Sequence, residues 1–280
     1  MKRKSLLFLI ICLTLCLCSC SKFRSQSSFT IQFIDVGQGD SALVECDGHY
    51  MLIDGGDIMA GDKVYNVLEE HQVQHLDILA ISHLHQDHIG GLPKALTYAS
   101  KIDLVISNSN KSELPAFTEL ENQLIINKAT IKIPHLGDKY KLGSADIVVI
   151  DASAENINDS LVLLITYGKT RFMFTGDIEG KAQKRIQSNN PNGANASFKI
   201  NLIKMPHHGA KVPEDFIKVF DPDYAVISVG KGKQYDHPSR DTLELLNQAN
   251  VKVYRTDKNG DIIVKSNGTE LSVEASQASQ

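Results

Sequence analysis

From Phe29 onward, apolar and polar positions alternate over short runs rich in branched side chains, and stretches of helical period separate these runs. The alternation predicts strands at 29–36, 42–46 and 50–53, the last two turned by Asp47-Gly48. A helix is expected over about 61–71, a buried strand at 76–82, a helix starting near Gly91-Leu92-Pro93, a strand at 102–107 and a helical stretch around 115–127. The second half repeats the style, with strands at 145–150, 160–166 and 171–175 and a helix from Glu179. Strands at 200–203 and 224–228 then alternate with helices at 213–220 and 240–248, and two final strands surround Asn259-Gly260. Hairpins opening each half, with helices between the later strands, predict an α/β fold of two sheets face to face with helices outside, a four-layer αββα sandwich. Periodicity alone does not separate that sandwich from another α/β arrangement.

The first twenty residues break the pattern. Lys2-Arg3-Lys4 precedes an apolar run from Leu6 to Leu17, too short for a comfortable permanent span and suited to a secretory signal. Cys12, Cys16, Cys18 and Cys20, four of the five cysteines, lie in or at the end of it. Leu17-Cys18-Ser19-Cys20 resembles the bacterial lipobox, which predicts cleavage before Cys20, lipidation of its thiol and a chain tethered to a membrane outside the cytoplasm. A cut nearby by ordinary signal peptidase is the alternative. The expected organisation is a signal at 1–20, a polar tether at 21–28, one hydrolase domain at 29–275 with no second transmembrane run, and a tail at 276–280 that frays from Glu274. Cys46 then remains as a lone thiol, so stability must come from the core rather than from disulfides. Losing Lys2, Arg3 and Lys4 takes the formal net charge from −4 to −7, which disfavours unspecific nucleic-acid binding and requires any polyanion to be held locally.

Candidate chemistry gathers at three strand ends. Ser82-His83-Leu84-His85-Gln86-Asp87-His88 follows directly on a buried strand; His83 and His85, two apart, project the same way and suit one cation, while Asp87 and His88 can address a second. Imidazoles with a hard carboxylate are the donors that zinc, manganese or iron prefers. Thr175-Gly176-Asp177 closes another apolar strand, where a carboxylate can bridge two cations with its two oxygens. Pro206-His207-His208-Gly209 closes a third. Alone, Gly176-Asp177 reads as a turn before a helix and the histidine pair as a polar loop; their recurrence at strand ends makes a pattern.

Taken together, Asp35-Val36-Gly37-Gln38-Gly39-Asp40-Ser41, Ile53-Asp54-Gly55-Gly56, the motif at 83–88, Asn158-Asp159-Ser160-Leu161-Val162, Thr175-Gly176-Asp177, Pro206-His207-His208-Gly209 and His237-Pro238-Ser239 resemble the metallo-β-lactamase-fold domain of ComEC-type competence proteins and their stand-alone relatives. The resemblance covers about 29–273. It implies the αββα sandwich with a two-metal hydrolytic centre at one edge between the sheets. The metal ligands it implies are His83, His85, Asp87, His88, Asp177 and His208. The broader superfamily usually places another histidine before the bridging aspartate; none lies between His135 and Asp177, and Asn158 stands in that stretch, so the first metal site is expected to be weak. His135 reads as a surface-loop residue.

Two close cations lower the pKa of a bridging water to about 7 and hold the oxygen that becomes negative as the bond breaks. Asp87 or Asp177 could orient that water. His208 is expected to bind the second metal and His207 to act as donor to the substrate oxyanion, an order that sequence could reverse. Asp40 and Asp54 would fix imidazole tautomers, with turn roles as the alternative. His237 either contacts substrate or belongs to the cap of the helix after Ser239. Lys231 and Lys233, with Lys204 and Lys211 flanking the histidine pair, are the basic group expected to meet an anionic substrate. The expected activity is hydrolysis of a phosphodiester, in DNA, RNA, cell-wall polymer or lipid. A lactone, thioester or β-lactam hydrolase, or a surface binding protein without turnover, are the alternatives.

Overall fold

The computed structural model describes residues 28–190, 197–232 and 236–277. The expected signal segment with Cys20, the tether to residue 27, Lys233 and the last three residues lie outside the described residues.

Fifteen strands form among the described residues: β1 (Phe29–Phe33), β2 (Ala42–Cys46), β3 (His49–Ile53), β4 (His75–Ile81), β5 (Lys101–Ser107), β6 (Ile131–Lys132), β7 (Lys139–Leu142), β8 (Ala145–Asp151), β9 (Val162–Tyr167), β10 (Thr170–Phe174), β11 (Leu202–Lys204), β12 (Tyr224–Ile227), β13 (Lys252–Arg255), β14 (Ile262–Ser266) and β15 (Leu271–Ala275). They build one sheet in the order β15-β14-β1-β2-β3-β4-β5-β6 and another in the order β13-β12-β11-β10-β9-β8-β7. Each sheet changes from antiparallel to parallel pairing midway, after β3 in the first and after β10 in the second. Short loops suffice for the antiparallel half, whereas each parallel step needs a helical crossover, and this places helices on the outer faces. The chain therefore has a metallo-β-lactamase-type α/β architecture, as the motif order implied.

Three clusters of buried apolar side chains correspond to the three interfaces of a four-layer sandwich. Phe33, Ile78, Leu163 and Phe174 belong to the cluster between the sheets. Val64, Leu68 and Leu120 pack helices Gly61–Glu70 and Pro115–Ile126 onto the first sheet. Ile186, Phe216 and Leu246 pack three more helices onto the second. Phe29 joins the sheets, stacking on Phe172 at 4.7 Å and Tyr167 at 5.1 Å between ring centroids. Phe29→Ala should cost about 3–5 kcal/mol, because the two sheets cannot close over the lost ring; a midpoint shift in urea unfolding with unchanged slope checks this.

Three details differ from the pattern-based reading. The two strands expected around Asn259-Gly260 lie in different sheets: β13 belongs to the second and β14 to the first, and the short helix Thr256–Asn259 carries the chain between them. A further strand, β15, pairs with β14 and includes Glu274, which binds Lys265 at 2.9 Å, so the chain is ordered past the point where fraying was expected. The edge strands β6 and β7 were not anticipated, the first being two residues long and the second, Lys-Tyr-Lys-Leu, largely polar.

Candidate metal centre

The loops after β3, β4, β10 and β11 meet at one edge of the sandwich, near where each sheet turns from antiparallel to parallel pairing. Asp54, just beyond β3, takes a left-handed backbone and accepts from both Ser82 N and Ser82 Oγ at 2.7 Å. This fixes the start of the histidine loop. The same carboxylate lies 2.9 Å from His88 Nδ1 and accepts its proton, which leaves His88 Nε2 facing Asp177 Oδ2 at 3.2 Å and Asp87 Oδ2 at 3.9 Å. Asp54 thus sits where a carboxylate can fix the His88 tautomer.

His208 is oriented from another direction. Its Nδ1 donates to the Ser228 carbonyl at 2.9 Å, and its Nε2 faces Asp87 Oδ2 at 3.1 Å and Asp177 Oδ2 at 3.4 Å. Asp40 was expected to fix such a tautomer; instead it forms an ion pair with the buried ammonium of Lys204, with His208 Nδ1 farther off at 3.5 Å. Backbone constraint holds the pair in place, since His207 and His208 both have positive φ, at 44° and 53°. Such strain persists only where surrounding contacts over-determine it. Gly39 serves the same packing, as a Cβ there would lie 2.2 Å from the Asp87 carbonyl oxygen.

Asp87, His88, Asp177 and His208 consequently present four donor atoms to one point, with mutual distances of 3.1–3.9 Å where measured. A tetrahedral zinc-type site with bonds of about 2.1 Å has edges of about 3.4 Å. The chemistry of the donors fits as well. With their Nδ1 protons committed elsewhere, two imidazoles turn Nε2 toward two carboxylates, and His88 Nε2 is fully buried without a hydrogen-bond partner. Burial opposes charge on His208, yet Asp177, Asp40 and Asp87 outweigh it and raise its pKa to about 9. His88 is raised well above its usual value by the same contest, with Asp177 and Asp54 prevailing over burial. The pocket favours positive charge at this point, which a divalent cation supplies.

His83 and His85 stand beside this set. His83 Nε2 lies 4.0 Å from Asp177 Oδ2 and 2.9 Å from His85 Nδ1. Burial, followed by the nearby His88, pushes the His83 pKa well below normal, so the ring is neutral as a ligand must be. All the histidines near Asp177 address its Oδ2, while Oδ1 turns to Lys204 Nζ at 3.8 Å. A bridge through two oxygens is therefore not the arrangement seen. One oxygen is shared, and the fixed ammonium sits behind the other.

A cleft of about 650 Å³ opens over these donors, lined by Asn158, His207 and His237 together with His85, Asp87, Asp177 and His208. Asn158 does not turn toward His83: its Nδ2 donates to Glu179 Oε2 at 2.9 Å, and Glu179 Oε1 lies 2.7 Å from His207 Nδ1. His237 stacks edge-on to His207 at 5.0 Å between ring centroids. Glu179 was missed in the sequence, where an acidic residue at the start of a helix carries no signal beyond the helix dipole. Of the lysines, Lys211 is three-quarters exposed and paired with Asp241 at 2.7 Å, and Lys231 is exposed near Asp35. Among the described residues, neither lysine lines the cleft. Among the described residues of the basic group, Lys204 alone converges on the donors, as a buried counter-charge. His135 is exposed, as expected.

Comparison with known proteins agrees with this fold. A protein-family model described as "Anti-Pycsar protein Apyc1" matches residues 29–199, more than half of the chain. ComE operon protein 3 of Bacillus subtilis (strain 168) is 30% identical over 257 residues, covering 83% of this chain and 32% of that protein. Competence protein ComA of Neisseria gonorrhoeae is 25% identical over 239 residues, covering 81% of this chain and 30% of that protein. The chain thus spans about a third of the length of the curated relatives it matches. Among solved structures, the metallo-β-lactamase fold protein YhfI of Bacillus subtilis has a TM-score of 0.55 at 13% identity, covering 85% of this chain and 100% of that one, a likeness of fold alone. With its ComEC-like relatives, its two-sheet architecture and its convergent histidines and aspartates, the chain belongs to the Apyc1 family of metallo-β-lactamase-fold proteins.

Proposed function

We propose that this chain is a metal-dependent phosphodiesterase that works outside the cytoplasm, lipid-anchored through Cys20. The observation that carries the catalytic part is the four-donor group of Asp87, His88, Asp177 and His208, three of which, Asp87, Asp177 and His208, line an open cleft. The anchor rests on the sequence of the first twenty residues. The names of the relatives, a ComE operon protein and a competence protein, put DNA first among the phosphodiesters to try.

A zinc, manganese or iron ion held by the four residues supplies Lewis acidity to a phosphoryl oxygen and acidifies water near neutral pH. His83 and His85 would hold a second, weaker ion beside it. The protein's own groups do the rest. Asp54 and the Ser228 carbonyl hold His88 and His208 in the tautomer that leaves Nε2 for the cation. Lys204 neutralises Asp40 and restrains Asp177 from behind. Glu179 accepts the Nδ1 proton of His207 and so holds the ring with Nε2 turned toward Asp177 and the cleft, where it can meet the departing oxygen. His237 and Asn158 flank that ring.

The test is direct. Protein lacking the first twenty residues and loaded with zinc or manganese should hydrolyse bis-nitrophenyl phosphate and leave nitrocefin intact; the reverse preference would reject a phosphodiesterase. Saturating metal, at about 100 times its Kd, should also stabilise the fold by about 2.7 kcal/mol, and a chelator should remove that increment.

A further inference from the structure

A second hollow of about 350 Å³ adjoins the catalytic cleft, and His85 lines both. The ridge between them is the 156–159 loop: Asn158 faces the cleft, while Asn156, Ile157 and Asp159 face the hollow. Its opposite wall is the loop from Asn108 to Leu114. The two walls are tied together, since Asn108 Nδ2 donates to the Ser153 carbonyl at 2.9 Å and to the Asp159 carbonyl at 2.7 Å. The hollow is thus preformed rather than a gap between independent loops.

Its lining has two parts. Leu84, Leu114 and Ile157 give an apolar side, with Ile157 79% exposed although it is a large aliphatic residue beside a catalytic cleft. Lys111, with Ser109 and Ser112, gives a polar side. Among the described residues, Lys111 is the one lysine or arginine lining either hollow. Asp159 does not cancel it: its carboxylate is held by Arg185 Nη2 at 3.2 Å and by the Asn156 and Glu155 amides at 3.0 Å each. An exposed apolar wall beside an unopposed cation suits a unit with a flat apolar body and a phosphate.

We infer that the hollow between the 108–114 and 156–159 loops is a subsite for the neighbouring nucleotide of an unpaired phosphodiester strand, its base against Leu114 and Ile157 and its phosphate on Lys111. This rests on the phosphodiesterase reading and deepens it: the substrate is a chain that crosses the ridge past His85. A polyol-phosphate chain lacks the apolar body and fits this wall less well.

Steady-state kinetics of the metal-loaded domain with oligothymidylates of about ten nucleotides, with poly(glycerol phosphate) and with bis-nitrophenyl phosphate provide the test. Lys111→Glu should lower kcat/KM for the oligonucleotide relative to the small diester by about tenfold, chiefly through KM. The slope of log(1/KM) against log salt should become shallower by about 0.7 for the lost phosphate contact. Ile157→Glu, on the exposed ridge, should lower the same ratio. If the wild-type chain cleaves both substrates but neither variant changes the ratio or the salt slope, the subsite does not exist and the phosphodiesterase reading stands. A preference for poly(glycerol phosphate) over the oligonucleotide overturns the nucleotide assignment. Failure of the wild type on every phosphodiester removes the reading beneath it.

Discussion

An Asp87→Ala protein is expected to remain folded, to lose its metal on dialysis, and to hydrolyse bis-nitrophenyl phosphate at least about 10³-fold more slowly than the wild type. Asp87 supplies one of four donor atoms and faces both His208 Nε2 at 3.1 Å and His88 Nε2 at 3.9 Å. Removing it leaves three donors and halves the carboxylate charge at the point where a cation would sit. The fold should survive because the Asp87 side chain is 32% exposed and its carboxylate anchors no backbone loop. Asp177 is a poorer choice for this purpose: it is fully buried among His83, His88, Lys204, His207 and His208, and its loss would strand several charges, at a cost of about 3–5 kcal/mol. Metal content by elemental analysis, circular dichroism and initial rates on one preparation decide the matter. Full stoichiometry together with a wild-type rate would sink the four-donor assignment.

Glu179→Ala is expected to lower kcat by about 10²-fold while leaving KM and metal content close to those of the wild type. Glu179 touches none of the four donor atoms. It acts through His207, whose Nδ1 it holds at 2.7 Å while its other oxygen accepts from Asn158 at 2.9 Å. Without that acceptor the ring can flip or change tautomer, and Nε2 is no longer held toward the cleft. Glu179→Gln keeps an oxygen acceptor for Nδ1–H but not the counter-charge, so its kcat should fall between the two. A long-range proton–nitrogen NMR spectrum of the zinc-loaded protein should show His207 with Nδ1 protonated in the wild type and a tautomer mixture in Glu179→Ala. This readout would not move if Glu179 merely supported the fold. A Glu179→Ala enzyme with wild-type kcat would remove the role.

The two predictions address residues of very different legibility. Asp87 lies in a short motif where four potential donors follow one strand, and local chain geometry alone brings their side chains near one another. Glu179 is a single acidic residue at a helix start, and its importance comes from a histidine 28 positions away. The lysines show the same limit from the other side. Lys204 and Lys211 flank the histidine pair equally in the sequence, yet one is buried on Asp40 and the other is solvated beside Asp241. The end of a buried strand projects inward and the loop beyond it outward, a difference that charge counting cannot register.

By itself the sequence determined the alternation of strands and helices, implied the two-sheet sandwich through the order of its motifs, and singled out the histidines and aspartates proposed to carry metal chemistry. The alternation follows from side-chain periodicity, and the motifs from donors and glycines placed at strand ends, both local in the chain. The tertiary structure decided the rest: that Asp87, His88, Asp177 and His208 close on one point, that Asp177 shares a single oxygen, that Asp40 answers Lys204 rather than a histidine, and that Glu179 holds His207. These relations join segments separated by tens to more than a hundred residues. They are set by which strands pair and where each sheet changes direction, and so they arise only when the whole chain has packed.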